Sequence, residues 1–333
     1  MPNDRPNITL KEIAERLGLN VGTVSRALSG SPKVAAATRE LVVNMAAELK
    51  YRPNKSAQHL IRGKPSNSFI AVLMPNIVHQ FFLSVLKGII NELDEASFNV
   101  MILNLRGNRK NVIDLVLDEA PDGLLVFAKE MAADECQAIA RRRIPYLYVD
   151  YFSQKDPCVY FDNYLGGQIA ARYLLEKNVR SPLYIGLTAQ SQQQELRFRG
   201  FSDSLTAGGI DSFEARYIPR DENLAADITK EVLESGRFDG IFYFCDELAY
   251  GGLRAGKESG IRVPMLGYDD LHISDLLGLT TIRQDGEAMG RRSARSIVDM
   301  INDAQWSSGL RKSELESSHI QIKLEPRLIV RSS

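Results

Sequence analysis

No apolar run in this 333-residue chain approaches the roughly 18 residues needed to span a bilayer, so no membrane segment is expected. The opening stretch, MPNDRPNITLKEIAERLG, is polar and lacks the apolar centre of a secretory leader, which points to a cytoplasmic protein. Cysteine is scarce. Cys136, Cys158 and Cys245 are scattered and odd in number, as reduced thiols would be. The histidines (His59, His79, His272 and His319) stand far apart, and no H-x-x-x-H or C-x-x-C spacing occurs, so neither a metal nor a cofactor is expected. Catalytic signatures are missing too: there is no G-x-S-x-G, P-loop or G-x-G-x-x-G. The pair Asp269-Asp270 cannot share one substrate atom, because adjacent strand residues face opposite ways. An enzyme is not expected.

Net charge is only −1, which at face value argues against a polyanion partner. The average conceals a division. Residues 1–65 hold 11 Lys/Arg against 5 Asp/Glu, a net of +6, while the remaining 268 hold 30 against 37, a net of −7. A basic head on an acidic body suggests a nucleic acid for the head.

Thr9 and Glu12 have capping-box spacing, and Leu10, Ile13, Ala14 and Leu17 then recur on one helical face. Gly18 ends that helix and Asn20 can cap a second, Val21–Leu28, which buries Val24, Ala27 and Leu28. A third helix, Ala36–Leu49, is expected to bury Leu41, Val42, Met45, Ala46 and Leu49. Two short helices about a tight turn, braced by a third, form a helix-turn-helix. A plain packing module is the alternative. The small, hydrogen-bonding, net-basic face of the second helix (Gly22, Thr23, Ser25, Arg26) favours DNA, since small residues permit close approach to base edges.

The order T-L-x-x-I-A-x-x-L-G, G-T-V-S-R-A-L and Y-x-P-N resembles the DNA-binding head of the lactose-repressor (LacI/GalR) family of bacterial transcription regulators, and the resemblance extends over essentially the whole chain. It implies that Val21 and Gly22 set sequence specificity, that Arg26 contacts bases, and that Thr9, Asn20, Thr23, Ser25, Lys33, Thr38 and Asn54 are DNA contacts, mostly to the backbone. One departure is Ala35, where the family has a Ser starting the third helix. Residues 54–61, NKSAQHLI, are too few for a stable isolated helix. The resemblance makes them a hinge helix that folds on DNA, with Ala57 and Leu60 wedged into the minor groove.

From Phe69 onward, apolar runs alternate with amphipathic stretches. Strands are expected at 69–74, 99–103, 123–127, 146–149, 183–187, 215–218, 240–244 and 263–267, with late strands near 319–323 and 327–330. Such alternation argues for parallel sheets flanked by helices, with ligands beyond the carboxyl ends of the strands. The expected architecture is thus a small all-α helix-turn-helix head plus an α/β two-lobed periplasmic-binding-protein-like body. Residues 1–52 would form the head, 53–65 the hinge, and 66–333 the effector-binding and dimerisation domain. Within the body, the N-lobe would take 66–160 plus 285–310, and the C-lobe 161–284 plus 311–333.

The resemblance places Phe81, Phe82, Arg197, Asp246 and Asp269 in an effector pocket between the lobes. Several departures bear on the effector. Asp246 stands where Asn is more usual and would disfavour an anionic ligand beside it. Pro219-Arg220-Asp221 replaces a closing aromatic, and His79-Gln80 replaces Asn-Pro. A short stretch at 263–267 would shift Asp269, and 104–122 is also short. The resulting expectation is a sequence-specific DNA-binding regulator, read as a repressor. It would be a homodimer on near-palindromic double-stranded operator DNA, controlled by a sugar or sugar derivative. A transporter's solute-binding protein would share the body, but it would not begin with a basic helix-turn-helix.

Overall fold

The computed structural model describes residues 9–28, 33–49, 51, 68–75, 79–105, 109–302 and 320–333. The chain divides into two compact units, the first essentially residues 1–66 and the second essentially the remainder.

In the first unit, α1 (Leu10–Leu17), α2 (Val21–Leu28) and α3 (Ala36–Glu48) enclose a small core of Ile13, Ala14, Val24, Ala27, Val34, Val42 and Ala46. The Thr9 hydroxyl accepts from the Glu12 amide at 3.3 Å, and Gly18 closes α1 in the left-handed region (φ 63°) that suits glycine. Ala35 leaves α3 with no side-chain cap. Leu41, expected inside, is 52% exposed. Leu41, Val42 and Val43 are consecutive, and 100° steps around a helix let only the middle one face the core.

The second unit holds two six-stranded sheets. The first begins with β1 (Phe69–Met74), α4 (Gln80–Glu95), β2 (Asn99–Asn104), α5 (Arg109–Glu119), β3 (Gly123–Phe127), α6 (Ala133–Arg141), β4 (Tyr146–Val149) and β5 (Cys158–Phe161). The chain then crosses to the second lobe. There it forms α7 (Asn163–Glu176), β6 (Pro182–Leu187), α8 (Gln192–Ala207), β7 (Glu214–Ile218), α9 (Glu222–Ser235), β8 (Gly240–Tyr243), α10 (Asp246–Ser259), β9 (Met265–Asp269), α11 (His272–Leu276) and β10 (Thr280–Arg283). It returns as α12 (Gly286–Asn302), which packs on α4, and ends in β11 (Gln321–Leu324) and β12 (Arg327–Ile329). The sheet orders are β11-β5-β4-β3-β1-β2 and β12-β10-β9-β8-β6-β7, all parallel except the β10–β12 pair.

Three points correct the sequence reading. β5 and β10 are strands of four residues each that were not among the expected strands. β11 pairs with β5 in the N-lobe sheet, so residues 311–333 do not all belong to the C-lobe; among the described ones, β12 and the residues that follow it do. β9 runs two residues later than expected, which puts Asp269 at its carboxyl end.

Close helix contact in the C-lobe depends on glycine. A Cβ on Gly167 of α7 would overlap the carbonyl of Arg197, and one on Gly200 of α8 would overlap that of Tyr164. Each helix therefore offers the other a bare backbone at the crossing, and the contact sets the position of Arg197.

Candidate functional site

In the head, the Asn20 carboxamide oxygen accepts from the Thr23 amide (2.8 Å) and from its hydroxyl (2.9 Å), so both side chains organise the start of α2. Val21, Gly22 and Arg26 are exposed on that helix, while Thr23 and Ser25 are half-buried. Arg26 Nε donates to the Gly22 carbonyl at 2.9 Å, laying the guanidinium along the outer face of α2. Lys33 is exposed and Thr38 half-buried. Asn54, Ala57 and Leu60 lie outside the described residues. An exposed, basic, small-residue helix face has the shape and donors to enter a major groove.

The second site lies between the lobes, where strand carboxyl ends meet. Asp150 follows β4, Asp269 ends β9 and Gln284 follows β10. Backbone strain gathers there: Asp150, Asp269 and Asp270 have φ of 56°, 112° and 54°, a region side-chain-bearing residues rarely adopt. Asp269 and Asp270 diverge. The first accepts from Gln284 Nε2 at 2.8 Å, the second from Arg283 and Arg331 at 2.6 and 2.8 Å.

Arg197, only 3% exposed, organises the floor. Its Nε donates to Asn163 Oδ1 (2.8 Å) and its Nη1 to the Phe244 carbonyl (2.9 Å). The guanidinium carbon lies 3.6 Å from the Tyr268 ring centre, and Nη2 is 3.8 Å from Asp269 Oδ1. Burial pushes the Asp150 carboxyl up to about 7, against the pull of Arg197, and raises that of Asp269 in the same way. Gln193 Nε2 donates to the Asp150 carbonyl.

At the mouth, Arg220 Nη1 meets Glu247 Oε2 (2.5 Å), Cys245 Sγ (3.4 Å) and, from the opposite lobe, His79 Nε2 (2.7 Å). Burial and the adjacent Arg220 hold the His79 imidazole below its ordinary value, so it is neutral near pH 7. Among the described residues, three buried atoms in this region have no hydrogen-bond partner: His79 Nδ1, Asp150 Oδ1 and Gln284 Oε1. Unmet polar atoms in a buried cleft are what a hydroxylated ligand can satisfy.

Two expected pocket residues are placed elsewhere. Asp246 is fully buried and its carboxylate is committed: Oδ1 accepts from the Thr281 hydroxyl (2.6 Å), Oδ2 from the Leu271 amide (2.8 Å) and the Ser274 hydroxyl (2.6 Å). It ties α10 to α11 and β10 and is no longer an acceptor aimed at a ligand. Phe81 lies in the N-lobe core at 3% exposure; Phe82 is half-buried, 4.9 Å from the His79 ring and 5.9 Å from Phe127. Asp150 and Gln284 were not expected at the site from sequence, and His79 and Arg220 were noted only as departures from the family pattern. Their common signal is position, since all but Gln284 sit one to five residues after a predicted strand, a place many inert residues share. A separate hollow of about 410 Å³ at the start of α8 is bordered by Gln190, Glu195, Phe198 and Tyr217.

No helix among the described residues is long and apolar enough to cross a membrane, and no cluster of metal-ligating side chains occurs among them. A helix-turn-helix head with a two-lobed, cleft-bearing body defines a ligand-responsive regulator of the periplasmic-binding type. Residues 9–54 match the bacterial regulatory proteins of the lacI family, and residues 67–326 match the periplasmic binding proteins and sugar binding domain of the LacI family. The chain is 33% identical to the HTH-type transcriptional regulator GntR of Pseudomonas aeruginosa, over 88% of this chain and 89% of that protein. In fold it is similar to a ribose-bound LacI family regulator from Enterococcus faecium (TM-score 0.69, 23% identity, 80% of this chain and 98% of that one). It is equally similar to the Lac repressor dimer bound to operator and an anti-inducer (0.69, 24%, 98% of each chain). The chain belongs to the LacI family: it is a DNA-binding transcription regulator, not an enzyme and not a transporter's binding protein.

Proposed function

We propose that this regulator acts in the cytoplasm as a homodimeric repressor on a near-palindromic operator and that a sugar or sugar derivative in the interlobe cleft controls its hold on DNA. The observation that carries this reading is the conjunction, in one chain, of an exposed recognition face bearing Arg26 and a cleft whose buried Asp150, Gln284 and His79 atoms lack partners. One recognition helix spans only a few base pairs, so specificity calls for two heads on two half-sites. Leu83 and Ile90 on α4 and Ile273, Leu276 and Leu277 on or beside α11 are exposed apolar residues that support self-association. The hinge segment bearing Asn54, Ala57 and Leu60 would couple cleft closure to the heads; by linkage, DNA and effector then change each other's affinity by the same factor.

The test is operator selection from random duplexes, followed by gel-shift competition. Arg26→Ala is expected to cost about 1–3 kcal/mol of discrimination and to leave weak, salt-dependent binding. Undiminished discrimination would remove α2 as the reading helix.

A further inference from the structure

The polar groups at the cleft mouth are unequally matched. Arginine only donates, so the His79 nitrogen facing Arg220 is the acceptor and the proton sits on Nδ1, making that buried, unpartnered atom a donor. Arg220 spends Nη1 on three neighbours, yet its Nε and Nη2 make no protein hydrogen bond among the described residues. Arg197 Nη2 stands 3.8 Å from Asp269 Oδ1, beyond hydrogen-bond distance of that carboxylate. The unmet acceptors are Asp150 Oδ1 and Gln284 Oε1. Around the mouth, α4 and α10 both begin without a side-chain cap, at His79 and Cys245, and so present the positive ends of their helices.

The acidic groups count less than their number suggests. Glu247 is paired with Arg220, Asp246 is enclosed by its own donors, and burial holds Asp150 and Asp269 toward their neutral forms. We propose that Arg220 determines which ligand the cleft accepts, its free guanidinium edge pairing with an oxyanion on a polyhydroxylated compound whose hydroxyls meet Asp150 and Gln284. The planar Nε–Nη2 edge suits a carboxylate or a phosphate, with His79 Nδ1 as an additional donor. The proposal rests on the cleft being the effector site and narrows the effector from sugars in general to acidic sugar derivatives.

The experiment is thermal denaturation of the full chain with matched ligand sets: an aldohexose, its aldonate and its 6-phosphate, in gluco, galacto and manno configurations. The expected result is that at least one charged member raises the melting temperature more than its neutral counterpart. That surplus should vanish in Arg220→Met and persist only in part in Arg220→Lys. Whether the aldonate or the 6-phosphate gives the surplus distinguishes carboxylate from phosphate. Arg220→Gln, which keeps a polar side chain beside Glu247, serves as a second variant should Arg220→Met fail to fold. Neutral sugars matching their charged partners throughout, no shift with any charged member, or a surplus surviving both Met and Gln variants would overturn the proposal. Operator gel shifts on the same proteins separate the two claims, because DNA recognition through Arg26 stands or falls independently of the ligand result.

Discussion

Asp246 and Asp269 lie in the same lobe, and both carboxyls are driven upward by burial, but their surroundings differ. Asp269 faces Arg197 and Gln284 at the cleft, whereas Asp246 receives three protein donors and the repulsion of Asp269. Its carboxyl is raised from 3.8 to about 7. A folded value above the unfolded one means the native state holds a proton that the unfolded chain has lost. This contribution to stability is complete below about pH 4 and disappears as pH rises through about 7. Asp246→Asn is therefore expected to leave the melting temperature near wild type at about pH 4. At about pH 8 it should raise stability by on the order of 1–3 kcal/mol, with Ser274 and Thr281 hydroxyls turning to suit the amide. Calorimetry at the two pH values checks this; equal destabilisation at both would mean that the carboxylate's hydrogen bonds outweigh its burial cost.

At the scale of elements, the α7–α8 crossing shows how packing reaches the site. Gly167→Ala would force the two helices apart at Arg197, and overpacking of this kind costs about 1–3 kcal/mol. The melting temperature should fall, and ligand-induced stabilisation should weaken as Arg197 shifts against Asn163 and Phe244. An unchanged melting temperature would show that the crossing can relax. Periodicity found the long amphipathic helices and most buried strands, because their apolar residues repeat over enough turns or follow in a long enough run. It missed β5 and β10, and it overcounted the core of α3, where Leu41 adjoins a buried position and is itself exposed. Pairing of β11 with β5 across a long stretch of chain leaves no local trace.

For the whole molecule, the three crossings between lobes near Asp162, Gln284 and Pro326 make the body a hinged pair, and Gln192 and Gln193 bind the 150–152 segment across it. Closure about such a hinge alters any surface that spans both lobes. The exposed apolar residues lie on both, Leu83 and Ile90 on α4 and Leu276, at 77% exposure, on α11. If the proposed homodimer uses the α11 face, Leu276→Glu is expected to yield monomer in analytical ultracentrifugation and to weaken operator binding by about tenfold or more, since one head would lose its tethered partner. A variant that stays dimeric would direct attention to the α4 face.

Sequence alone determined that a basic head and an acidic body exist and that α2 exposes Arg26, and it singled out Arg197 and Asp269, which the fold brings within 3.8 Å of each other. These are local matters: capping, helical period, charge and a family motif are all written in neighbouring residues. The tertiary structure decided the rest. It withdrew Asp246 into the C-lobe, buried Phe81, and brought His79, Asp150, Arg220 and Gln284 to one cleft from four separate strand ends. Which donors and acceptors remain unmet depends on contacts between segments as much as 141 residues apart, as for His79 and Arg220. No window of sequence contains that information, because burial and hydrogen-bond satisfaction belong to the assembled lobes and not to the chain.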